Sequence, residues 1–321
     1  MEQSILPDDT GVMVCGHGSR DEGACTQFSG VVERIRQRLA PTPVSYGYLE
    51  FATPIIRDGL DSLKERRLRR IIAVPGMLFA AGHVKNDVPS VLNTYARDNG
   101  VEIRMGRDLG IDARLLDASA DRVRETLARA APVALEDTAL VVIGRGTSDS
   151  DANGNVCKVA RMLWEGLGVA HVEVGYSGVA HPRVDVILER TAKFGFKRIV
   201  VFPYFLFTGV LVRRIYDQTE AVAAAHPEIE FLKANYLNDH PAVADTFVDR
   251  IRGVLEDDTA MNCQLCKYRV QILGHEAAHG APQESHHHHV EGIGTDGHHH
   301  HGHHHHHGHH HHRGNGAVPD E

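Results

Sequence analysis

His17, Glu50 and His83 are the residues whose types and positions best fit chemistry. His17 follows the first predicted strand, Glu50 ends the second, and His83 lies a few residues past the third, so all three are expected at one edge of an open parallel sheet, where ligands bind. Two imidazoles and a carboxylate do two kinds of work. They hold a borderline divalent ion such as Co²⁺, Ni²⁺ or Zn²⁺, and an imidazole of pKa roughly 6.5 also accepts protons near neutral pH. Gly16 and Gly18 flank one histidine and Gly82 precedes the other, which permits tight turns and close approach of a large ligand to the backbone. The same turn argues against two other chemistries. Gly16 and Gly18 begin a dinucleotide-type GxG, but the third glycine would fall at Asp21, and Ser19 lacks the GxSxG surroundings of a hydrolase nucleophile.

The elements that must position these residues occur twice, at an offset of 128 residues. The run Val14-Cys15-Gly16-His17-Gly18-Ser19-Arg20-Asp21 lies over Val142-Ile143-Gly144-Arg145-Gly146-Thr147-Ser148-Asp149. Ile71-Ile72-Ala73-Val74-Pro75 lies over Ile199-Val200-Val201-Phe202-Pro203, and Asp121-Arg122-Val123 over Asp249-Arg250-Ile251. Strands are expected at 12–15, 44–49, 71–74 and 101–105, and again at 139–143, 171–175, 199–202 and 230–234. Between them run amphipathic stretches, with Phe28, Val31, Val32, Ile35 and Leu39 on one helical stripe and Ile55, Ile56, Leu60 and Leu63 on another. Further helices are expected at 84–98 and 112–130, and the last helix of the second copy reaches about Leu255. The expected fold is α/β: two tandem repeated domains, 1–131 and 132–257, each a four-stranded parallel sheet with helices on both faces and its own core. His17, Glu50 and His83 become Arg145, Gly178 and Leu211 in the second copy, so the site is assigned to the first.

Composition narrows the class. A formal charge of −8 argues against nucleic acid as a partner. No run of about 18 apolar residues suggests a membrane span, and the N-terminus lacks the features of a secretion signal, so a soluble cytoplasmic protein is expected. The five cysteines do not form a disulfide pattern, and reduced thiols are expected.

A third segment, 258–321, has no apolar periodicity and is expected to be disordered. It opens on Met261-Asn262-Cys263-Gln264-Leu265-Cys266, and it carries 19 of the 25 histidines between His275 and His312. A CxxC reads as a redox pair, half a zinc site or part of an iron–sulfur site. The histidine runs are broken by glycines and followed by other sequence, which favours a native segment over a purification tag. They form a polydentate trap for Co²⁺, Ni²⁺, Cu²⁺ or Zn²⁺, suited to storing or delivering metal.

Putting a divalent ion into a tetrapyrrole requires stripping water from the ion, delivering it over the ring and removing two pyrrole protons. Two histidines and a glutamate suit that task. Three stretches carry a resemblance: Cys15-Gly16-His17-Gly18-Ser19-Arg20, Tyr48-Leu49-Glu50-Phe51-Ala52 and the run from Pro75 through Gly82-His83-Val84-Lys85-Asn86-Asp87-Val88-Pro89. They resemble the class II tetrapyrrole chelatases, and most closely the sirohydrochlorin cobaltochelatases of the CbiX type in their long two-domain form, over residues 10 to about 270. The resemblance implies Co²⁺ insertion into sirohydrochlorin on the way to cobalamin, with His17 and His83 binding the metal and assisting deprotonation, Glu50 in the same site, and the two halves enclosing the macrocycle. It further implies a [4Fe–4S] cluster at Cys263 and Cys266, whose two thiolates are half a ligand set, the rest coming from a second subunit, as in a homodimer sharing the cluster, or from other groups. Sirohydrochlorin carries eight carboxylates, so Arg20, Lys85, Arg145, Arg213 and Arg214 are candidate anchors, Arg145 foremost because it replaces His17. The rivals are the same reaction with Fe²⁺ or Ni²⁺, and a non-catalytic metal-storage or metallochaperone protein.

Overall fold

The structure, a computed structural model, describes residues 6–256. Its first half runs β1 (Thr10–Gly16), α1 (Glu22–Leu39), β2 (Val44–Tyr48), α2 (Ile56–Lys64), β3 (Arg70–Pro75), a π-helical turn (His83–Asp87), α3 (Val88–Asn99), β4 (Glu102–Met105) and α4 (Ala113–Ala128). The second half runs β5 (Thr138–Gly144), α5 (Ser150–Leu167), β6 (His171–Tyr176), α6 (Val184–Ala192), β7 (Arg198–Pro203), α7 (Val210–Ala225), β8 (Glu230–Lys233) and α8 (Pro241–Leu255). Each half builds a four-stranded parallel sheet, ordered β2-β1-β3-β4 and β6-β5-β7-β8. The register repeats with the sequence offset: Thr10 pairs with Arg70 as Thr138 pairs with Arg198.

Local chemistry explains the elements. The central strands β1 and β5 are buried along their whole length, as apolar runs covered on both faces must be. Helix α1 buries Phe28, Val31, Val32, Ile35 and Leu39, the stripe read from the sequence. Asp21, Asp112 and Asp149 cap α1, α4 and α5, each carboxylate accepting a backbone N–H of the first turn. One expectation is modified at 84–98. That stretch begins as a π-helical turn before continuing as α3, whereas the matching stretch of the second half is the single helix α7.

The cores are shared more than two separate domains would require. On β1, Val12 and Val14 face inward while Met13 and Cys15 face outward, the period-two alternation of a strand. Leu140 and Val142 of β5 face the same inner core as Val12 and Val14, so one apolar cluster runs through both halves. Each sheet keeps a separate outer core beneath its other helices.

Two buried arginines lock the halves. Arg122 on α4 donates from Nε to the Tyr236 carbonyl at 3.1 Å and from Nη2 to that of Leu237 at 3.0 Å. Its counterpart on α8, Arg250, donates to the carbonyls of Asp108 and Leu109, the positions equivalent to Tyr236 and Leu237. The exchange of equivalent partners defines an approximate twofold axis between the halves.

Candidate active site

The three candidate ligands meet at the carboxyl ends of the strands of the first sheet. His17 follows β1, and the pairing of the chain just past β2 with the chain just past β1 brings Glu50 beside it, the Glu50 N–H donating to the His17 carbonyl at 3.1 Å. Gly18 makes this approach possible. Its φ is +93°, and a Cβ there would fall on the Glu50 carbonyl oxygen. The same ladder recurs in the second half, where Gly178 N–H donates to the Arg145 carbonyl at 2.9 Å. At this ladder the backbone geometry is therefore kept in both halves while the side chains differ. His83 arrives from the third strand on the π-helical turn.

Glu50 Oε1 lies 3.3 Å from His17 Nε2 and 3.9 Å from His83 Nε2, and the three ligand atoms all fall within 4.8 Å of one another. Atoms bound to one ion at about 2.0–2.1 Å lie no more than roughly 4.2 Å apart, so a contraction of about half an ångström would close this triad around a metal. The imidazole rings are nearly perpendicular, with centroids 4.8 Å apart, and both Nε2 atoms lie near the same Glu50 oxygen. Among the described residues it is the one cluster of three such ligands.

The other ring nitrogens are held from behind. His17 Nδ1 lies 3.0 Å from the Gly18 carbonyl, and His83 Nδ1 lies 2.7 Å from Asp87 Oδ2. Both partners accept, so each Nδ1 carries a hydrogen, and in the neutral ring each Nε2 presents its lone pair. Asp87, buried one helical turn after His83, forms the carboxylate–histidine pairing that orients metal ligands. Asp87 belongs to the third sequence motif, and its spacing of four residues from His83 is the sequence signal for this pairing.

The site opens into a cleft of about 920 Å³ between the halves. Aromatic side chains of both halves meet along it: Phe28 with Phe207 at 5.6 Å and Phe79 with Tyr204 at 5.8 Å between centroids. Arg20 and Arg145 also line it. Arg20 lies over the Phe51 ring, 5.1 Å from its centroid. Arg145 Nη2 reaches His17 Nε2 at 3.2 Å. Arg145 is exposed to the cleft yet walled by protein; that desolvation pushes its guanidinium below its ordinary pKa, against the attraction of Glu50.

The remaining three cations stand elsewhere. Lys85 is 7% exposed and donates to Asp149 at 2.5 Å and to Asp151 at 3.4 Å. Its counterpart Arg213 is ion-paired with Asp21, the counterpart of Asp149, so the twofold exchange seen for Arg122 and Arg250 is repeated here. Arg214 is exposed on α7, outside the cleft lining. Lys85 and Arg213 thus form a reciprocal pair of bridges, each neutralising a helix-capping aspartate of the other half. Cys263, Cys266 and the histidine runs lie outside the described residues. Among the described residues no helix is long and apolar enough to cross a membrane.

The comparisons with known proteins agree with this geometry. The CbiX family model matches twice, over residues 11–126 and 139–254, the two halves seen in the fold. A sirohydrochlorin cobaltochelatase of Priestia megaterium is 36% identical over 266 residues, covering 82% of this chain and 86% of its own. A sirohydrochlorin ferrochelatase of the same organism is 29% identical over 248 residues, covering 77% and 91%. The solved structure of SirB from Bacillus subtilis with Fe³⁺ superposes with a TM-score of 0.69 at 26% identity, covering 78% of this chain and 99% of that one. With both copies of the repeat matched and the ligand triad standing in one of them, the chain belongs to the CbiX family.

Proposed function

We propose that this protein inserts Co²⁺ into sirohydrochlorin and releases two protons. The observation that carries the reading is the convergence of two Nε2 lone pairs and one buried carboxylate on a cleft with aromatic walls, large enough for a flat macrocycle. The metal is a substrate. His17, Glu50 and His83 take it from water and hold it at the edge of the ring. As it passes to the pyrrole nitrogens the Nε2 atoms regain their lone pairs and accept the two N–H protons, so one dication enters and two protons leave. The Gly18 carbonyl and Asp87 keep both imidazoles aimed throughout. Arg20 and Arg145 are the cations suited to the peripheral carboxylates. Cobalt is preferred to iron because the cobaltochelatase relative is the more similar of the two from Priestia megaterium.

Visible spectra of sirohydrochlorin mixed with the protein and Co²⁺, Fe²⁺ or Ni²⁺ in turn test this. Metallation faster than the uncatalysed rate, fastest with Co²⁺ and lost in His17→Ala, is expected. No acceleration with any metal would overturn the chelatase reading, and faster turnover with Fe²⁺ would overturn the metal assignment.

Two parts of the reading concern residues outside the described structure. Cys263 and Cys266 would hold half the ligands of a [4Fe–4S] cluster, a homodimer supplying the rest, and iron and sulfide analysis after anaerobic purification tests it. The histidines of 275–312 would store or deliver the metal. Cytoplasmic location on a route to cobalamin belongs to the same reading.

A further inference from the structure

Arg145 stands where the second half has lost its histidine, and across the twofold axis it meets the histidine that the first half kept. A guanidinium carries only donors, and His17 Nδ1–H is committed to the Gly18 carbonyl. The Arg145 N–H therefore takes the Nε2 lone pair of His17, the same lone pair that a divalent ion needs. The guanidinium also feels the attraction of Glu50, so a monocation already touches one member of the triad and is drawn towards a second. Lys85 and Arg213 are bound to aspartates, whereas the Arg145 guanidinium, among the described residues, makes its side-chain hydrogen bond to His17.

We propose that Arg145 is a gate on the metal position, holding off divalent ions until a carboxylate of the anionic macrocycle draws its guanidinium away, so that the tetrapyrrole binds before the metal. The gate rests on the chelatase reading. Its exposure in the cleft leaves the side chain room to swing, and the eight carboxylates of the substrate give it a stronger partner than a neutral imidazole. The device keeps the protein from trapping a divalent ion that has no ring to enter.

Calorimetric titration of the full-length protein with Co²⁺ alone, at fixed pH, tests the gate without any tetrapyrrole. The histidines of 275–312 also bind Co²⁺, so each titration is paired with one on the same protein carrying His17→Ala, and the difference isolates the cleft site. Arg145→Ala is expected to tighten that site at least tenfold, about 1.4 kcal/mol, while Arg145→Lys, which keeps the charge, stays within about threefold of wild type. A cleft site of equal affinity in wild type and Arg145→Ala, a weaker one in Arg145→Ala, or equal tightening by Arg145→Lys would overturn the gate while leaving the metal site standing. A cleft site absent from every protein would overturn the metal-binding reading itself, and the gate with it.

Discussion

Lys85 of the first half donates its ammonium to Asp149 of the second at 2.5 Å, with both side chains buried. Burial works to lower the pKa of Lys85, but the hydrogen bond and the charge of Asp149 outweigh it and raise the pKa above its ordinary value. The stabilisation is fully present below the unfolded lysine pKa of roughly 10.4 and is lost only as pH rises through the higher folded value. The pair is thus intact at neutral pH. Lys85→Met leaves Asp149 buried without its cation and is expected to cost roughly 3 kcal/mol. Thermal unfolding should show a fall of roughly 6–12 °C. An unchanged melting temperature would mean that the bridge contributes nothing.

Acid should loosen the same interface at Asp112. Burial acts to raise the pKa of this carboxyl, but the hydrogen bonds and charge of Arg114, with the charge of Arg250, hold it down at about 2. A depressed folded pKa gives stability that is present above the unfolded value and lost as pH falls from roughly 4 towards 2. Denaturant unfolding measured across that window should show the loss in wild type and a shallower slope in Asp112→Asn. Identical slopes would remove Asp112 from the acid response.

Asp87 should act on turnover more than on stability. Asp87→Asn keeps the side-chain size but weakens the hold on His83 Nδ1, and kcat is expected to fall 10–100-fold. His83→Ala removes the ligand and should cost at least about 100-fold. A kcat for Asp87→Asn equal to wild type would show that the aspartate has no positioning role.

Glycines at two positions should respond in opposite senses. Gly18→Ala places a methyl group on the Glu50 carbonyl in a left-handed conformation, and it should lower stability by at least about 1 kcal/mol while displacing Glu50. Gly30 lies within α1 with nothing within 4 Å of an added Cβ, so Gly30→Ala should stabilise by roughly 0.5–1 kcal/mol. Chemical denaturation of both variants checks the signs.

Much of the architecture was legible along the chain. Strand runs and helical stripes are local periodicities, and each predicted strand appears within a residue or two of its place because apolar burial selects the period that matches the element. His17, Glu50 and His83 were readable as a site because parallel topology carries all strand ends to one edge, and the repeat showed that only one copy retains them. Tertiary structure alone decided the rest. A surface cation and an interface cation look alike in sequence, so only packing of the halves shows Lys85 and Arg213 paired with Asp149 and Asp21. The contact of Arg145 with His17 arises for the same reason: the two are 128 residues apart, and the twofold axis that joins them is a property of how one half docks on the other.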